Sequence, residues 1–320
     1  MQRRTLLGGM AALPMALALA RPSGVLAQHS AARVIVDNDF AGDPDGLVAL
    51  AHQLLSPKTR AVLVTSSALD PKLAGAAGLD VTRTALAGAG LARALVDRIA
   101  PAVRPRIVAG AERFGMDPRA NAAAHAIVAE ALRDDPLPLM VACAGPLTNV
   151  AAALLLEPKI ADRMTLMWIG GLAAPEGGTE YNLSTDLAAA RTVLEQSAMP
   201  VWRVPAEEYR RFQVSVAELT NDFRRISPVA RWLYDQYRKL PPLVQLGGTI
   251  TFGDSPLVSL TTFDHAASLA VIRPVHKLLD DSRNGDEVQG RTIRVVQGLD
   301  PRLNFADLCA LLRLHARRSR

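Results

Sequence analysis

Four carboxylates fall within nine residues in Val36-Asp37-Asn38-Asp39-Phe40-Ala41-Gly42-Asp43-Pro44-Asp45-Gly46. Asp37, Asp39, Asp43 and Asp45 would repel one another if all were ionised and unpaired, since close like charges disfavour joint ionisation. A hard cation resolves that conflict. Calcium suits it best, because it takes about 6–8 oxygen ligands in flexible geometry and mixes carboxylate, carbonyl and water donors. Such a site can polarise a water molecule while a neighbouring carboxylate accepts its proton. The competing reading is a solvated acidic turn in which Asp43 or Asp45 caps the next helix. An EF-hand fits less well, because the loop has no Glu at its twelfth position and follows a strand instead of a helix.

The elements that must hold this cluster are legible as alternation. Short apolar runs predict strands over 34–36, 61–65, 139–144, 164–169 and 201–204. Alanine-rich runs between them predict helices over 47–55, 78–87, 121–132, 149–156 and 186–196. Uninterrupted apolar strands are those covered on both faces, so the expected class is α/β, an open and mainly parallel sheet with helices on both sides. The aspartates then lie at the carboxyl edge of the first strand, where open parallel sheets bind ligands. Regularity ends near Pro205. A more polar, helical stretch over 206–253 carries Trp232, Tyr234 and Tyr237, spaced to line one helix face or a pocket, and short strand-like runs over 267–296 flank a polar turn at 280–286.

Residues 1–27 read as an address. Arg3 and Arg4 precede an uncharged apolar stretch over 6–20, and Val25 and Ala27 supply small side chains ahead of Gln28, as in a cleavable twin-arginine-type export signal. That stretch is shorter than the ~20 residues that span a bilayer, so no stable membrane insertion is expected after cleavage. A periplasmic or secreted protein follows, with residues 28–320 as a single domain. The formal charge of +5 sits largely at the ends, in Arg3, Arg4, Arg313, Arg317, Arg318 and Arg320, and no aromatic residues interleave a basic stripe. Nucleic acid is therefore not expected as a partner. Two cysteines, Cys143 and Cys309, make no disulfide framework and read as small core residues.

Four segments together carry a resemblance. The D-x-D-x-x-x-D cluster after the first strand, the run Ala142-Cys143-Ala144-Gly145-Pro146-Leu147-Thr148-Asn149, the run Trp168-Ile169-Gly170-Gly171 followed by Glu180-Tyr181-Asn182 and Asp186, and Gly253-Asp254-Ser255-Pro256-Leu257 stand in order along the chain. They resemble the amino-terminal signature, the G-P-L-T-N turn, the E-F-N segment and the late H-D-P motif of the inosine-uridine nucleoside hydrolase family. That resemblance implies calcium-dependent hydrolysis of the N-glycosidic bond of ribonucleosides, with a small-molecule ribonucleoside as substrate. It makes Asp39 both a metal ligand and the base that activates water, Asp254 a second carboxylate ligand, and the backbone oxygen of Ala144 another. It places Glu180 and Asn182 on the ribose hydroxyls and Asp37 behind Asp39, orienting it or its loop. The sequence leaves a homo-oligomer open.

Two positions depart from the family pattern. The adjacent aspartates that usually close the first turn are here Asp43-Pro44-Asp45-Gly46, so one of Asp43 and Asp45 is expected on the metal and the other on ribose or the metal rim. Gly253 stands where many members carry a histidine that protonates the leaving base. His265 lies eleven positions beyond Asp254 and reads as structural. Tyr234 or Tyr237 offers a hydroxyl or a stacking ring, and Tyr237 is the expected substrate contact. Two alternatives follow from the empty position: a hydrolase of another ribosyl conjugate with a good leaving group, or a calcium-containing periplasmic riboside-binding protein without catalysis.

Overall fold

The structure is a computed structural model that describes residues 29–241, 247–264 and 267–318. The signal-type segment 1–27 and His265 lie outside the described residues. Strand β1 (Ala32–Asn38) is buried along its whole length and pairs in parallel with β2 (Thr59–Ser66) on one side and β4 (Leu139–Cys143) on the other. Beyond β2 lies β3 (Arg106–Ala109); beyond β4 lie β5 (Met164–Ile169) and β6 (Val201–Val204), all parallel. The eight-stranded sheet is completed by β10 (Asn284–Gly298), parallel to β6, and by β9 (Leu269–Leu278), antiparallel at the edge, in the order β3-β2-β1-β4-β5-β6-β10-β9. A two-stranded antiparallel ribbon, β7 (Gln213–Ser215) with β8 (Thr249–Thr251), stands apart from it.

Alternating side chains of β1 explain why both faces are covered. Val34 and Val36 pack with Leu47 and Leu50 of the helix Asp45–Leu55, Leu95 and Ile99 of the helix Thr84–Ile99, and Leu308 and Leu312 of the carboxyl-terminal helix Pro301–Arg318. Ile35 turns to the opposite face, toward Ile127 of the helix Ala122–Ala131, Val150 of the helix Thr148–Leu156 and Val193 of the helix Leu187–Leu194. The chain leaves β1 toward β2 and β3, then returns to β4 on the other side. The carboxyl ends of β1 and β4 thus flank a topological switch point, the crevice where such sheets bind ligands.

The expected parallel sheet and its first strands stand as read, while the start of one helix and the extent of the parallel order change, and a carboxyl-terminal helix is added. The helix expected over 78–87 begins at Thr84 and runs to Ile99; Gly78, at φ 74°, instead terminates the preceding short helix Pro71–Ala76. Its start is capped from far away, by Glu112 accepting the N–H groups of Ala85 and Leu86 at 2.8 Å each. The strand-like runs over 267–296 form one long hairpin that rejoins the main sheet through β10 and β6, so the parallel order does not end at Pro205. The helix Pro301–Arg318 packs its Leu308 and Leu312 into the core, a contribution that its mixed charged sequence does not announce.

Candidate active site

Asp37 is fully buried on β1, opposite Cys143 of β4 in the register. Its carboxylate accepts from Thr65 Oγ1 of β2 at 2.5 Å, from Asn149 Nδ2 at 2.8 Å and from Cys143 Sγ at 3.4 Å. Burial raises its pKa, and these three donors pull it back down. Asp37 therefore ties together two strands and a helix start; it reaches Asp39 through its charge, without a hydrogen bond between them. Cys143 and Cys309 are both buried and free, and burial lifts both thiols above their ordinary range. Replacing Asn149 by Ala leaves Asp37 short of a donor, and we expect a loss of about 2–3 kcal/mol in unfolding free energy by denaturant titration. An unchanged midpoint would contradict this role for Asp37.

Asp39 follows β1 directly, and Asp45 opens the helix Asp45–Leu55, its N–H donating to Asp43 Oδ1 at 3.4 Å. Asp254 precedes the helix Pro256–Thr262, and its Oδ2 accepts from Asn38 Nδ2 at 2.8 Å. The charge of Asp254 raises the proton affinity of Asp45, since close like charges disfavour joint ionisation. Burial pushes Asp39 up to about 7, and the charges of Asp43 and Asp37 add to that rise. Asp45 and Asp254 are held well above the carboxylate range by burial first and by neighbouring carboxylates second. Asp45 and Asp254 are buried, whereas Asp43 is exposed at the lip of the cluster. The turn after β4 packs against the cluster from the side: the Ala144 N–H donates to the Asp37 carbonyl at 2.9 Å. A Cβ at Gly145 would stand 3.1 Å from the Asp39 nitrogen and 2.8 Å from Ser67 Oγ, so this close approach requires glycine.

The segment after β5 supplies the other wall. Glu180 is buried and caps the short helix Tyr181–Thr185; its Oε2 accepts from the N–H groups of Leu183 at 3.0 Å and Gly171 at 2.8 Å. Its Oε1 accepts from Tyr209 Oη at 3.1 Å. Asn182 Nδ2 donates to the Ile169 carbonyl at 3.0 Å. Both residues thus lie at the carboxyl edge beside β5, buried and engaged by protein groups, and Glu180 is neither solvated nor isolated.

Tyr237 ends the helix Pro228–Tyr237 and is 6 % exposed, its ring stacked on Phe252 with centroids 5.9 Å apart. Its hydroxyl has no hydrogen-bond partner among the described residues, and its pKa is raised by burial and then by Asp45, Asp43 and Asp254. Tyr234 is directed elsewhere, its hydroxyl 3.2 Å from Thr220 Oγ1. Beside Gly253, a Cβ would meet Asp45 Oδ2 at 3.1 Å and Tyr209 Cδ2 at 3.3 Å. The space of the missing side chain is therefore flanked by a phenol ring. His52, His125, His276 and His315 are bonded to Asp307 and to the carbonyls of Arg119, Gly285 and Ile99, respectively.

The family model for the inosine-uridine preferring nucleoside hydrolases matches residues 34–296, which includes every carboxylate described above. The chain belongs to this family. It is an enzyme that hydrolyses N-glycosyl compounds. Its fold is similar to that of an inosine-uridine preferring nucleoside hydrolase from Bacillus anthracis, with a TM-score of 0.61 at 17% identity over 88% of this chain and 99% of the other. A purine-preferring ribonucleoside hydrolase from Gardnerella vaginalis gives 0.64 at 17% identity, over 89% and 99% of the two chains. The type III effector protein XopQ, solved with adenosine diphosphate ribose, gives 0.62 at 15% identity, over 90% and 95%. Among curated proteins, none matches the chain in sequence.

Nucleoside hydrolases are typically metal-dependent, and the donor chemistry here fits a hard divalent cation. Asp39, Asp45 and Asp254 are enclosed oxygen donors, and the charges that perturb them are those of other carboxylates. Among the described residues no three His, Cys, Asp or Glu side chains stand as a ready-made ligand group. Asp45 and Asp254 repel one another when both are ionised, and a cation relieves that repulsion. Sequence reasoning missed Asn38, which anchors Asp254 across 216 positions, and the hydroxyl of Tyr209 on Glu180. Asn38 was detectable only as a polar residue at the inner end of an apolar strand.

Proposed function

We propose that this nucleoside hydrolase cleaves the N-glycosidic bond of ribonucleosides in a calcium-dependent reaction, releasing base and ribose. The observation that carries the reading is Asp39, a carboxylate at the carboxyl end of β1 on the switch point of the sheet, with the charges of Asp45 and Asp254 beside it. A carboxylate so placed can accept the proton of a water molecule. Asp39, Asp45, Asp254 and the carbonyl of Ala144 would hold the cation, with exposed Asp43 at its rim toward the ribose. Bound calcium would supply positive charge against the attacking water and the sugar hydroxyls. Asp39 takes the proton as water adds to the anomeric carbon and the bond to the base breaks, with the electron pair leaving on the base. Glu180 and Asn182 orient the ribose hydroxyls, and enclosing carboxylates favour the oxocarbenium-like transition state. Tyr237 contributes the base-side wall.

Incubating the purified protein with a panel of purine and pyrimidine ribonucleosides and nicotinamide riboside, with calcium and after metal stripping, tests this by free ribose. Calcium-dependent release from the ribonucleosides is expected. Tight binding of ribosides with no ribose released would refute it. Release from nicotinamide riboside alone would favour the reading in which a good leaving group needs no acid, which the Tyr209 ring beside Gly253 supports. Export through residues 1–27, and with it a periplasmic or secreted location, is proposed on the sequence of that segment.

A further inference from the structure

Tyr209 ends the short helix Ala206–Tyr209 that follows β6, and it lies between the segment after β5 and the aspartate cluster. Its hydroxyl donates to Glu180 Oε1 at 3.1 Å. Its ring meets the other side: a Cβ at Gly253 would stand 3.3 Å from Tyr209 Cδ2 and 3.1 Å from Asp45 Oδ2. The short helix that carries it is anchored at both ends. The Ala206 N–H donates to the Gly171 carbonyl at 2.9 Å, and the buried Glu208 accepts from the Leu299 N–H at 2.7 Å and from Arg211 Nη1 at 2.8 Å. The two oxygens of Glu180 are used differently. Oε2 takes the N–H groups of Gly171 and Leu183, so backbone donors fill it. A carboxylate oxygen accepts about two hydrogen bonds, so Oε1 receives the phenol and keeps a place for a sugar hydroxyl.

We propose that Tyr209 is a positioning residue for the sugar, its hydroxyl aiming Glu180 Oε1 at a ribose hydroxyl while its ring occupies the space beside Gly253. This rests on the reading of Glu180 as a ribose contact. The hydroxyl serves the sugar side alone, so its effect is the same whichever base the substrate carries. Phenylalanine keeps the ring and donates nothing, which isolates the single oxygen.

The test compares wild type with Tyr209→Phe at saturating calcium, by steady-state kinetics on several ribonucleosides and by thermal melting with and without ribose. Loss of a hydrogen bond to a charged group predicts a rise in KM of about tenfold, with kcat within about threefold, because binding of the sugar is what weakens. The ranking of bases by kcat/KM should not change. Ribose should raise the melting temperature of wild type and do so much less in the variant, while the shift produced by calcium is the same in both. A fall in kcat at constant KM, a changed base ranking, or an equal ribose shift in the two proteins would each overturn the proposal. So would a loss of the calcium shift together with a lower melting temperature, which marks a structural role. Ribose that stabilises neither protein would bring down the ribose reading of Glu180 and this inference with it, whereas wild type that binds ribose but releases none from nucleosides would bring down hydrolysis and leave the ribose shift to decide the role of Tyr209.

Discussion

Asp39→Ala removes nucleoside hydrolysis while the protein folds as before: we expect kcat to fall by at least about 10²–10⁴-fold, the range that a positioned general base contributes. Asp39 stands at the end of β1, on the switch point of the sheet. Asp37, by contrast, is saturated by Thr65, Asn149 and Cys143, and Asp254 accepts from Asn38. Stability should move the other way. A carboxyl that the fold must desolvate beside like charges is a cost to the native state once ionised, so its removal leaves the melting temperature of metal-free protein unchanged or raises it. Asp39→Asn is the closer control, since the amide keeps the size and an acceptor oxygen but takes no proton from water. Turnover of either variant at the wild-type rate would rule Asp39 out as the base.

Metal-stripped protein loses stability as pH rises, and calcium restores it. The sign follows from the direction of the shifts. Asp39, Asp45 and Asp254 all have native pKa values above their ordinary ones, so across the window from 3.8 to about 7 the native chain keeps protons that the unfolded chain has released. With fewer protons on the unfolded state, unfolding free energy decreases with pH. The rise of Asp39 from 3.8 to about 7 corresponds to roughly 4 kcal/mol if fully expressed, and local relaxation reduces it. A cation that binds only the native carboxylates reverses the trend, because it favours the deprotonated form and releases protons as it binds. At a hundredfold excess over Kd, calcium should add about 2.7 kcal/mol, or roughly 5–10 °C in melting temperature, at pH 8. The gain should shrink toward pH 5, where protons compete for the same oxygens. Melting curves of stripped protein across that range, with and without calcium, decide it; a calcium shift of zero at pH 8 would remove the metal from the proposal.

The sheet was legible in the sequence wherever local pattern and tertiary demand coincide. Val34-Ile35-Val36, the run over 139–144 and the run over 164–169 are apolar without alternation because both faces are covered, so burial wrote itself into composition. The aspartates after β1 were equally plain, since four carboxylates in one turn are anomalous in any fold. Contacts made across long separations were not legible. The start of the helix at Thr84 is set by Glu112, and β10 joins β6 some ninety positions away, through Arg294 beside Trp202 and Val295 beside Arg203. Neither partner leaves a mark on the other's neighbourhood in the chain.

The same division runs through the site. The sequence by itself determined that carboxylates gather at the end of the first strand, and the family resemblance implied that Asp254, Glu180 and Asn182 belong with them. Only the tertiary structure decided what each one touches: Asn38 on Asp254, Tyr209 on Glu180 and beside Gly253, and Asp45 enclosed while Asp43 is exposed. The reason is physical. Residue type fixes which charges and donors a chain possesses, but proton affinity and orientation depend on desolvation and on partners brought from other strands, and those exist only once the sheet has closed around them.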